Sequence, residues 1–157
     1  MGIFGRLFKK KHSENNALQR SSQAQKTEVS TSEEAQAHYD LGIEFCQEYI
    51  QKGGVGDGAF VAIRRAMEEF KASLRFDRNF QTARLALADC YFALAGGFGY
   101  DPFDAAVAYH TAIEDSPNLV VDKEQASLGK QFMNQGPNSG YDAAVAYRKA
   151  LKRKPVV

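Results

Sequence analysis

From Ser32 onward, large apolar residues recur every three or four positions, the period of a helix with one buried face. Leu41, Phe45 and Tyr49 set the first stripe, and Glu33 and Glu34 follow Ser32. A helix capped by Ser32 is therefore expected, ending at Gly53-Gly54-Val55-Gly56-Asp57-Gly58. A second runs from about Ala59 to Phe76, with Ile63, Ala66, Met67, Phe70 and Leu74 on one side and Asp77-Arg78-Asn79 as a turn. The third covers about Phe80 to Ala95 and stops at Gly96-Gly97-Phe98-Gly99. Asp101-Pro102 opens the fourth, aspartate as cap and proline in the first helical position, and the helix ends near Ser116-Pro117. The fifth spans Leu119 to Asn134, before Gly136-Pro137, and the sixth Gly140 to Lys154, before Pro155. No stretch alternates with period two long enough to argue a strand, so the predicted class is all-α.

The first 32 residues read differently. Residues 12–32 are rich in Ser, Gln and Asn with few large apolar groups, so they cannot bury enough surface to offset ordering and are expected to form a flexible linker. Ahead of them, residues 1–11 read MGIFGRLFKKK. Wound as a helix, this segment places Ile3, Phe4, Leu7 and Phe8 on one side, with Arg6, Lys9, Lys10 and Lys11 supplying the charge. Such a basic amphipathic segment suits the surface of an anionic membrane or a docking site on protein. Gly2 and Gly5 weaken its helicity. Three parts follow: the basic segment 1–11, the linker 12–32 and the helical domain 33–157.

Within that domain the chain resembles itself. Residues 104–117 read DAAVAYHTAIEDSP and residues 142–155 read DAAVAYRKALKRKP, in register throughout. A looser copy lies earlier, where Ala66, Phe70 and Leu74 correspond to Ala105, Tyr109 and Ile113. A leucine, a small residue and an aromatic precede each copy: Leu41-Gly42 with Phe45, Leu87-Ala88 with Tyr91, Leu128-Gly129 with Phe132. The domain thus divides into three helix–turn–helix units, 33–78, 79–118 and 119–157, about the minimum at which stacked hairpins bury a continuous core.

Over roughly residues 35–156 this pattern resembles the tetratricopeptide repeat (TPR) family, whose signature is W-x2-L-G-x2-Y, then A-x3-F, then Pro. His38, Arg84 and Gln125 stand where the family has Trp, and Arg78 where the first unit would close on Pro. The loops inside the units are longer than the minimal repeat, which is also similar to the Gly-rich Sel-like repeats. Either resemblance implies an α-solenoid in which the small residues admit close helix approach and the aromatics fill the space beside them.

Composition narrows the function. Hydrophobic residues make up 44% of 157 and charged residues 25%, which suits a packed, well-solvated domain. Net charge is +1, yet Arg6, Lys9, Lys10 and Lys11 at one end and Arg148, Lys149, Lys152, Arg153 and Lys154 at the other are unaccompanied by acids. The body between is therefore acidic, which argues against nucleic acid as a partner. Cys46 and Cys90 lie in apolar helical pattern and read as small buried hydrophobes in a reducing, cytoplasmic setting, with the inner membrane surface as the site if residues 1–11 meet lipid. His12, His38 and His110 have no Cys or His at ligand spacing, so no metal is expected. GGVGDG at 53–58 lacks the Lys-Ser/Thr ending of a phosphate loop, and no serine sits in a nucleophile elbow. No enzyme activity and no cofactor are expected.

The resemblance implies a concave groove lined by the first helix of each unit, holding a peptide or helix of a partner protein. The positions it assigns are Gln36, Tyr39 and Ile43, then Thr82, Leu85, Asp89 and Phe92, then Lys123, Ala126, Lys130 and Met133. Only Lys123 matches the Lys, Asn and Arg set with which one subset of the family clamps a terminal carboxylate, so that ligand is not expected. A groove apolar in two units and basic in the third suits an amphipathic segment with an acidic end. The expected function is a non-catalytic interaction module, a scaffold or adaptor. Two alternatives stand beside it: a membrane-surface adaptor anchored by residues 1–11, and a ligand-binding or accessory enzyme subunit using the Gly-rich loops. With no capping helix after Ala150-Leu151, the lysines and arginines there either solvate the last face or meet a second copy in a homodimer.

Overall fold

The computed structural model describes residues 32–157. Among them lie six α-helices: α1 (residues 32–51), α2 (Gly56–Phe76), α3 (Gln81–Gly97), α4 (Pro102–Glu114), α5 (Lys123–Asn134) and α6 (Gly140–Ala150), with a 3-10 turn at Pro137–Ser139. The described residues contain no strand. Ser32 is already helical, so it does not cap α1. The helix stops where Gly53 and Gly54 take φ of +75° and +71°, a left-handed pair that lets Gly54 N–H bond back to the Tyr49 carbonyl at 3.1 Å.

The expected stripe of α1 holds at Phe45 and Tyr49, which pack against the core, but not at Leu41, and the most buried line runs one residue on. Ala35, Gly42 and Cys46 are buried, with Tyr39, Ile43 and Tyr49 packed beside them, while Leu41 is 38% exposed. The cause is steric. A Cβ on Gly42 would lie 2.5 Å from the Phe70 ring, so the ring of α2 sits where α1 has no side chain. The third unit repeats this contact: a Cβ on Gly129 would lie 2.9 Å from the Tyr147 ring. In the second unit Ala88 and Tyr109 hold the corresponding places in one core cluster.

The other differences in boundaries have local causes. α2 begins at Gly56 rather than Ala59, absorbing part of the glycine run. α4 starts as expected, with Asp101 accepting from Phe103 N–H at 2.9 Å and Pro102 in the first turn. α5 starts at Lys123 instead of Leu119, because Asp122 caps it by accepting from the Glu124 and Gln125 amides at 3.1 and 3.2 Å. Leu119 and Val121 instead pack into the core from the loop. α6 ends at Ala150, well short of Lys154, because Lys152 adopts φ +49° and turns the chain back.

α2 packs on α3, α3 on α4, α4 on α6 and α5 on α6. α1 joins α2 through the Phe70 contact and through Ser73, whose buried hydroxyl donates to the Ala35 carbonyl at 2.7 Å. Two apolar clusters result. One gathers Cys46, Ile63, Met67, Phe70, Cys90 and Leu94, and the other Leu85, Tyr109, Ala143, Tyr147 and Leu151. α3 contributes to both, with Ala86, Cys90 and Leu94 on one flank and Leu85 and Ala88 on the other. Few of its faces meet water, as its largely apolar sequence requires.

Cys46 and Cys90 are free and buried, with sulfurs 4.0 Å apart across α1 and α3. Burial pushes the Cys90 thiol well above its usual range, and the neighbouring Cys46 adds to this. Neither thiol is therefore expected to react with iodoacetamide in the native state, and both react once the chain is unfolded in urea. Mass spectrometry of the alkylated protein measures this, and native labelling at either cysteine would contradict the packing of α1 on α3.

Candidate functional site

The most polar feature of the interior is Asp89, on α3, with 1% of its surface exposed. A carboxyl group so placed needs donors. One comes from α4: the buried Tyr109 hydroxyl donates to Asp89 Oδ1 at 2.6 Å. The rest come from the segment that follows α6. Arg153 Nη2 donates to Asp89 Oδ2 at 3.0 Å and to the Leu85 carbonyl at 3.1 Å, and the Val156 amide donates to the same Oδ2 at 2.9 Å. Val156 and Val157 pack against the α1–α3 cluster that includes Tyr39 and Ile43. Arg148 covers the Phe92 ring at 4.7 Å from its centroid and donates to the Val157 carbonyl at 2.9 Å. Residues 153–157 thus form an irregular C-terminal segment, called the strand below only for its course past α3, held through Arg153 at one end and by Arg148 at the other.

Burial drives the Tyr109 phenol upward, and the adjacent Asp89 charge pushes in the same direction. Tyr147, donor or acceptor partner of His110 Nδ1 at 3.1 Å, is pushed up to about 12, by burial first and then by Glu114. Both groups are held neutral more firmly in the folded chain than in the unfolded one. Their contribution is complete below the ordinary tyrosine range and fades as pH rises through and beyond it. Stability is therefore expected to fall between about pH 10 and pH 12. In an ultraviolet titration, Tyr109 and Tyr147 should ionise only as the circular dichroism is lost.

Tyr39 and Ile43 pack against the same cluster as Val156 and Val157, the buried Leu85 and Asp89 accept from Arg153, and Phe92 lies beneath Arg148. Tyr39 wedges between Phe70 and Phe80, with centroids 5.7 and 5.3 Å away. Gln36 and Thr82 are exposed, and Gln36 donates to Asp40 on its own helix at 2.7 Å. In the third unit Lys123 and Lys130 are exposed on α5, while Ala126 and Met133 are half-buried, Met133 against the second core cluster. α3 and α5 are not packed side by side, so the lysines do not extend the α1–α3 wall. Ile3, Phe4, Leu7, Phe8, Lys9, Lys10 and Lys11 lie outside the described residues.

The nearest open space is a cleft of about 360 Å³ beside Val157. Tyr49, Phe92, Arg148 and the glycine pairs Gly53-Gly54 and Gly96-Gly97 line it, together with Asp89. In comparisons with protein-family models, curated proteins and solved structures, nothing matches this chain. A larger cleft of about 630 Å³ lies between α1 and α2, lined by Phe45, Phe60 and Val61. Its charges are largely engaged: Arg65 lies over Phe45 at 5.7 Å, Glu68 pairs with Lys71, and Glu69 with His38 at 2.6 Å.

His38 also stacks on Phe76 at 5.4 Å and so serves packing, while Arg84 bridges to Asp115 at 2.9 Å. Among the described residues no group of three or more His, Cys, Asp or Glu is placed to hold a metal ion. No helix among them is long and apolar enough to cross a membrane.

Arg148, Arg153, Val156, Val157 and Tyr109 were not assigned to the site by sequence. The available signal was Asp89 itself, an acid in the apolar run Leu85 to Leu94, which demanded a buried donor.

Proposed function

We propose that the chain is a non-catalytic protein-interaction module. Its three hairpins stack as a TPR-like α-solenoid and hold an extended segment of a partner protein across the first helices of units one and two. The carrying observation is the segment 153–157 itself, a non-helical stretch held by a buried carboxylate, by Arg148 donating to the Val157 carbonyl and by an apolar wall. That combination of main-chain and side-chain capture is how grooves recognise extended segments. The recurrence of the small-on-aromatic contact at Gly42–Phe70 and Gly129–Tyr147 supports equivalent construction of the units.

The test is site-specific photo-crosslinking in cells. A crosslinking amino acid replaces Phe92 in one variant and Val61, on the far side of α2, in another. Adducts with a discrete protein at position 92 and none at 61 support the reading. Adducts at neither position, or at 61 alone, refute it.

A further inference from the structure

We propose that Arg153–Val157 is a resident stand-in for the groove's ligand. That ligand is an extended partner segment carrying an arginine followed, a few residues on, by β-branched apolar side chains. This rests on the interaction-module reading and goes beyond it by naming the chemistry of the partner and the element that guards the site.

Three observations carry it. Asp89 is buried in a helix whose neighbours are apolar, and within the helical body only Tyr109 donates to it. Every other donor belongs to the non-helical segment after α6. The body has therefore left its interior anion to be completed by a segment that is not part of its helices. Any replacement must bring a cation and an N–H of its own, because an uncovered carboxylate there would be isolated. The requirement selects an arginine, whose fork can bond a carboxylate and a carbonyl together as Arg153 bonds Asp89 and Leu85.

The second observation is that the strand is held incompletely. Arg153 Nε is buried without a partner, and it alone has that state among the buried side-chain nitrogens and oxygens of the described residues. The turn that delivers the strand needs Lys152 at φ +49°, a conformation that side-chain-bearing residues avoid. The turn weakens the resident strand relative to a ligand not joined to α6. The third is the open cleft beside Val157, lined by Phe92, Arg148 and the glycine pairs, which leaves room for apolar side chains larger than those of the resident segment. The chemistry demanded is basic and apolar. It is not the acidic end expected from Lys123 and Lys130, which lie on α5 away from this wall.

A resident strand lowers the apparent affinity of a competitor by the fraction of time the groove is open. The probe is a fluorescent peptide LKRKPVV, followed by anisotropy against the full chain. Arg153→Ala and Val156→Ser each loosen the strand, and the second leaves the Asp89 pair in place, so that helical circular dichroism is kept. We expect the peptide to bind both variants about tenfold or more tighter than wild type. The same peptide with glutamate in place of its arginine should not bind. Hydrogen exchange at the amides of residues 153–157 should quicken in both variants. Equal affinity for wild type and variants would overturn the stand-in role while leaving the groove as a peptide site. Undiminished binding of the glutamate peptide would overturn the arginine requirement. No binding to any form, with the strand shown to be released, would remove the groove reading as well.

Discussion

Replacing Asp89 with alanine is expected to lower the free energy of unfolding by about 3–5 kcal/mol, the usual cost of breaking a buried charged pair from one side. The variant strands three donors together. Tyr109, fully buried, loses its acceptor; Arg153 keeps only carbonyl partners; the Val156 amide has none. Asparagine separates these effects. Its oxygen can still accept from Tyr109, but its amino group would face the guanidinium and the amide, both of which are donors. Asp89→Asn should therefore retain part of the stability and still release residues 153–157. Urea denaturation gives the first quantity and amide exchange at Val156 the second. A fully protected strand in Asp89→Asn would mean that the valines, and not the carboxylate, hold it.

The second large effect lies between α1 and α2. Gly42→Ala places a methyl group 2.5 Å from a Phe70 ring that is itself wholly buried. Alanine is the better helix former by about 1 kcal/mol, and overpacking costs about 1–3 kcal/mol. The steric term should win at this distance, because Phe70 is fenced in by Ile63, Met67 and Tyr39 and cannot swing away. A net loss of about 1–2 kcal/mol is expected. Phe70→Leu alone also destabilises, by removing buried ring. Combined, the two should cost less than their sum by about 1 kcal/mol, since the smaller side chain vacates the volume the methyl needs. Additive losses in chemical denaturation would show that the Gly42 contact is not the constraint that orients α1.

The helical class was legible because apolar residues recur at helical spacing and the turns are marked by glycine and proline. The small-and-aromatic positions were legible too: Gly42, Ala88 and Gly129 are buried, as are Phe70, Tyr109 and Tyr147. The facing of α1 was legible in part: Phe45 and Tyr49 pack against the core, whereas Leu41 is exposed. Leu41-Phe45-Tyr49 and Gly42-Cys46 are stripes one residue apart, and hydrophobicity favours the first. The ring across the interface brings the second to the centre. The start of α5 was misplaced for a similar reason, because Leu119 looks helical by apolarity while Asp122 has the capping geometry.

The groove was the least legible part. Position in the repeat marked Tyr39, Ile43, Leu85, Asp89 and Phe92, but the basic run 148–154 read as solvating the last face or meeting a second copy. In the structure Lys149, Lys152 and Lys154 are exposed, whereas Arg148 and Arg153 turn inward. Lysine and arginine carry the same charge in a sequence count. What separates them is the planar fork, which can satisfy a carboxyl and a carbonyl at once. Where the strand returned also depended on Lys152 leaving the helix, which no residue preference announces.

α3 has one flank in each apolar cluster. Melting either half alone would strip this helix of half its neighbours while keeping it ordered, an arrangement with no stable halfway point. Heating should accordingly give a single calorimetric peak, with the two ends of the domain lost at the same temperature.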